Sequence, residues 1–166
     1  MKRTSRPLMA LATTAMIVTG GVLVGAAPAY ADTTCTPKQK KSFATPGYNT
    51  DLEVQVCVAN SGPHRSAHIQ VGWQDGGSSS ADGDRKFDKL VLHYRLERHD
   101  ADYATGSCSI AGRVNTNRSG AWVCGTTEVT SSLIGGWSGD GYVEYDLDRD
   151  GEGSSKWQLT GSPRVR

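Results

Sequence analysis

Past its first thirty residues the chain contains no apolar run long enough to cross a bilayer, and no segment repeats apolar residues at helical spacing. A helical bundle and a membrane-spanning helix are thereby excluded for that part. No close Cys-x-x-Cys or Cys/His pairing exists to hold zinc. Also missing are H-E-x-x-H, the G-x-S-x-G nucleophile elbow and a glycine-rich phosphate loop. Nor does either sign of charge dominate, with 18 Lys and Arg against 17 Asp and Glu. Such a balance gives no electrostatic drive towards nucleic acid or acidic membranes. Even the cluster Lys38, Lys40 and Lys41 reads as solvated surface.

What is present begins with an export leader. Lys2, Arg3 and Arg6 precede an apolar stretch from Leu8 to Ala27, and Ala29-Tyr30-Ala31 gives the small-x-small cleavage pattern. Residues 1–31 are therefore expected to leave as a signal peptide, and residues 32–166 to form one secreted, extracellular domain. That domain would carry 15 basic and 17 acidic residues, a formal charge of −2. Its size suffices for a self-supporting core.

Cys35, Cys57, Cys108 and Cys124 all lie in the expected domain. An even count in an oxidising compartment implies two disulfides. Sequence order pairs Cys35 with Cys57 and Cys108 with Cys124, each pair bracketing a hairpin, the second turning around Thr116 to Ser119.

Period-two alternation recurs along the chain. Leu52, Val54, Val56 and Val58 share one strand face; Ile69, Val71 and Trp73 share another. Leu90, Leu92, Tyr94 and Leu96 oppose His93, Arg95 and Glu97. Val143, Tyr145 and Leu147 face Trp157 and Leu159 across a turn at Asp150 to Gly153. The pattern predicts an all-β fold, an antiparallel two-sheet sandwich of seven to eight strands. An immunoglobulin-like Greek key is one such arrangement, although the cysteine and tryptophan spacing of antibody domains is missing. A closed barrel is the other. The polar, glycine-rich segment Gln74 to Asp84 predicts an exposed loop.

Three groups of residues are candidates for chemistry. Asp146, Asp148 and Asp150, followed by Gly151, resemble the first half of a D-x-D-x-D-G calcium loop, as in EF-hands and integrin-type β-propellers. The resemblance implies calcium as the one candidate cofactor. It ends there, because Trp157 and Ser154 stand where the closing acidic ligands would fall. The same residues also read as strand and turn, with Asp148 opposite Lys156. His93, Arg95, Glu97 and His99 would line the outer face of one strand, residue types similar to those small secreted endoribonucleases use on a sheet surface. Two imidazoles would supply acid and base, and the guanidinium would steady a developing anion. Trp137 sits in Gly135-Gly136-Trp137-Ser138-Gly139, predicted as a loop whose indole either plugs the body or meets a ligand.

Together these features favour a secreted, non-enzymatic binding protein with an extracellular protein, polysaccharide or cell-wall partner. Protease inhibition falls within that reading, whereas nucleic acid and, once the leader is removed, membrane do not. A small extracellular hydrolase, in its most concrete form a nuclease built on the His93 face, is the rival.

Overall fold

A computed structural model describes residues 32–77 and 83–165. The expected leader and the tip of the Gln74 to Asp84 segment lie outside the described residues. Among the described residues, ten strands form two antiparallel sheets that pack face to face. In chain order they are β1 (Asp32–Cys35), β2 (Gln39–Phe43), β3 (Thr50–Ser61), β4 (His64–Gln74), β5 (Phe87–Arg98) and β6 (Ala101–Ser109). A short helix α1 (Ala111–Thr116) precedes β7 (Gly120–Val123), β8 (Thr127–Thr130), β9 (Trp137–Leu147) and β10 (Ser155–Gln158). The count exceeds the expected seven or eight because both edges of the first sheet are broken. There β1 and β2 pair in succession with β3, and β7 and β8 pair in succession with β4. The second sheet runs β10-β9-β5-β6.

Alternation decides which residues lie between the sheets. Leu52, Val54 and Val56 of β3, Ile69 and Val71 of β4, and Leu90 and Leu92 of β5 are all buried in one core. A smaller core at one end gathers Val58, Ala67, Leu96, Trp137 and Val165. Two tight turns join the longest hairpins. Gly62, at φ 58°, opens the β3–β4 turn, and His99 and Asp100, at φ 50° and 63°, form the β5–β6 turn. Both disulfides are formed as expected: Cys35 and Cys57 are cross-strand neighbours of β1 and β3, and Cys108 joins Cys124.

The hairpin expected between Cys108 and Cys124 is absent. Cys108 lies on β6 of the second sheet, and Cys124 follows β7 of the first. Between them α1 turns the chain from one sheet to the other, with Ala111 and Val114 buried. The bridge therefore staples sheet to sheet. Trp122 sits on edge strand β7, 39% exposed, with the Arg113 guanidinium 3.4 Å from its ring centroid. The described part of the Gln74 to Asp84 segment also departs from expectation. Gly76 and Gly77 are buried, and their amides donate to Arg118 O and Val114 O. A Cβ at either would come within 2.5 Å of a backbone oxygen of 114, 115 or 117, so only glycine fits.

Candidate functional site

The outer face of the second sheet carries the expected ionisable cluster. His93, Arg95 and Glu97 do share this face, and β9 places Tyr142, Asp140 and Ser138 directly opposite them. His99 does not join them. The strand ends at Arg98, and His99, at φ 50°, falls in the β5–β6 turn. Its amide donates to Gly136 O and its ring lies where a Cβ on Gly136 would be. Only one imidazole remains for acid–base work on this face.

The surrounding electrostatics constrain what the cluster can do. Arg95 is held by three carboxylates: Glu97, Asp140 and, at 3.2 Å, Asp102. The Glu97 carboxylate beside it raises its pKa further. These carboxylates engage its guanidinium, so it is not held open for an arriving phosphate. His93 stacks on Tyr142, with centroids 4.5 Å apart, and its Nε2 lies 3.2 Å from Glu144. Glu144 in turn accepts from Lys89 Nζ at 2.6 Å, a contact that lowers the carboxyl's pKa. A shallow cleft of about 480 Å³ does run beside His93 to Ser107. Among the described residues, however, no hydrogen bond joins Ser107 to the imidazole, so a nucleophile–base pair is not formed.

The three aspartates do not come together. Asp146 is opposite Lys89 in the β5–β9 register. Asp148 is almost buried beside Arg85, at 3.7 Å, and Arg149, at 3.2 Å. Asp150 accepts the amide of Glu152, capping its own turn. No group of three acidic, His or Cys side chains suited to a metal ion occurs among the described residues. The expected Asp148–Lys156 pair is also corrected, since Lys156 pairs with Glu144. Asp148 instead extends the β5 side, its amide donating to Lys86 O, and the turn that follows is wider than the sequence implied.

Trp137 is not a loop residue awaiting a ligand. It opens β9 and is fully buried, its Nε1 donating to Leu133 O at 3.0 Å. Tyr103 meets its ring edge-on. The plug reading holds for this indole.

Sequence reasoning missed a hollow on the outer face of the first sheet. Three rows of side chains cross that face: Ser42–Asp51–Gln74, Lys40–Glu53–Gly72–Ala121 and Gln55–Gln70–Val123. Gly72 is the gap in the middle row. Two clefts of about 470 Å³ each meet there, sharing Glu53 and Gly72. The glycine has no positive φ, and a Cβ on it would meet only Gly120 O, at an ordinary 3.7 Å. Neither backbone conformation nor packing requires glycine at this position. By contrast, Gly120 next to it is required, because a Cβ there would strike the Trp73 ring at 2.3 Å. The available signal was a glycine at an outward position inside the run from Ile69 to Trp73.

Glu53 fixes the rim of the hollow. Its carboxylate accepts from Lys40 at 2.6 Å and Lys38 at 2.9 Å, and these bonds lower its pKa to about 2. Lys38 and Lys40 are thus exposed yet organised around one carboxylate, whereas Lys41 donates to the Tyr145 hydroxyl.

Comparison with protein-family models, with curated proteins and with solved structures found no match.

Proposed function

We propose that the chain is a secreted, non-enzymatic binding protein that receives an extracellular ligand in the hollow over Gly72. The observation that carries this reading is Gly72 itself. A glycine inside a central strand weakens that strand, and where packing does not demand it, it marks a place where another molecule approaches the backbone. A β-branched residue would serve β4 better, yet would fill the hollow. The two disulfides support the extracellular setting. The hydrolase reading is the weaker one, because Arg95 is already engaged by carboxylates and His93 has no nucleophile bonded to it.

The test is capture from culture medium and from a cell-wall fraction, using the mature protein and Gly72→Val side by side, with bound material identified by mass. A ligand retained by the native protein and lost by the variant is the expected result. Retention by both, or turnover of a secreted substrate by the native protein, would count against the binding reading.

A further inference from the structure

The chemistry of the hollow selects among ligands, on the footing that the hollow is a binding site at all. Its walls present amide-oxygen and carboxylate acceptors. Gln55 commits its Nε2 to Thr36 O at 2.8 Å, and Gln70 commits its Nε2 to Cys57 Sγ at 3.3 Å. No described hydrogen bond takes up either amide oxygen, so both remain as fixed acceptors. Asp51 adds a carboxylate on the opposite rim. The cations beside them face the protein's own groups: Lys38 and Lys40 both bind Glu53, and Lys41 donates to the Tyr145 hydroxyl. The floor is different in kind: Gly72, Ala121 and the exposed Val123 present only C–H surface and backbone.

Three ligand classes fail against this inventory. A nucleic acid or other phosphate chain brings negative charge to a rim where Glu53 and Asp51 balance Lys38 and Lys40, so it gains no net attraction there. An extended peptide recognised through its backbone needs an open strand edge. At Gly72 the floor of the hollow is instead the face of β4, whose backbone is already paired on one side with β3 and on the other with β7. A lipid tail needs more apolar depth than a single missing side chain provides. A sugar meets every demand, having hydroxyl donors around its edge and a C–H face for an apolar floor. The clefts cross β2, β3, β4 and β7, a span of roughly 14 Å at ordinary strand spacing, enough for more than one ring.

We infer that the hollow binds a neutral polysaccharide, one ring seated over Gly72 and donating hydroxyl protons to the amide oxygens of Gln55 and Gln70. The experiment is isothermal titration of the mature protein with cellohexaose, xylohexaose, chitohexaose and maltohexaose, with oligothymidylate as the anionic control. At least one hexasaccharide should bind while the oligonucleotide does not. Gly72→Val and Gln70→Leu should each weaken that binding about tenfold or more. His93→Ala, on the other sheet, should leave it unchanged. Far-UV circular dichroism confirms that each variant is folded, and the ordinary contact distance at Gly72 favours that outcome. The inference is overturned if no hexasaccharide binds at millimolar concentration, or if binding survives both first-sheet variants. A peptide or nucleotide captured natively and lost in Gly72→Val would leave the hollow a binding site and refute its assignment to glycans.

Discussion

Truncating Trp137 to alanine separates a structural indole from a ligand-binding one. The side chain is fully buried among Val58, Ala67, Leu96 and Val165. An indole hides about 200 Å², which at about 25 cal/mol per Å² is an upper figure of about 5 kcal/mol. Substitutions of this size in cores cost about 3–5 kcal/mol. The lost indole hydrogen bond adds little, because Leu133 O keeps the Arg65 guanidinium at 3.4 Å. A loss of about 4 kcal/mol is the expectation. With about 2.1 cal/mol/K of unfolding entropy for each of about 130 residues, the melting temperature should fall by about 15 °C. Urea titration followed by far-UV circular dichroism avoids the lost fluorescence, and the slope against urea should stay constant. Trp137→Phe should recover much of the difference. A loss below about 1 kcal/mol would refute the placement of this ring in the core.

Replacing Cys108 and Cys124 together by alanine should cost about 3 kcal/mol, by the closure entropy of the 16-residue separation, measurable by the same titration. Gly72→Val should raise the melting temperature slightly while abolishing ligand retention, since a β-branched residue suits the strand but not the hollow. Glu53 has a depressed pKa, so the stability it contributes is present above the usual carboxylate value of 4.5 and is lost as pH falls through about 2. Glu53→Gln should flatten the stability–pH curve in that window, as thermal melts at stepped pH would show. Melting in millimolar calcium and in chelator should coincide, because Asp146, Asp148 and Asp150 each face a different neighbour. A calcium-dependent rise would show that the turn rearranges around the ion.

The strands and both cysteine pairs were legible because period two is a local signal and the central strands are long. Leu52 to Val56 and Leu90 to Tyr94 show their buried faces directly in the sequence. What escaped were features set by partners distant in sequence. A six-residue helix is too short to display a helical period, so α1 hid inside what read as one hairpin, and the Cys108–Cys124 staple looked local. His99 leaves its strand face because β5 ends at Arg98, where the chain turns back to pair with β6. Gly135 and Gly136 suggested a loop, but the Trp137 that follows them is drawn inward by a core the local sequence does not contain. Gly72 was visible as a letter, yet its meaning depends on Glu53 and Ala121, residues brought beside it only by the sheet.

The broken edge along β4 bears on how this chain avoids pairing with copies of itself. An unbroken eleven-residue partner there would present one long ladder of open backbone groups, a template for another copy of the chain. Two four-residue strands cover it instead, and at the joint between them the Cys124 amide is bonded to Ile69 O while its sulfur is tied to the opposite sheet. A second molecule would find only short, interrupted stretches on which to stack. Reducing the bridge should therefore show itself first as self-association in light scattering, before global unfolding sets in.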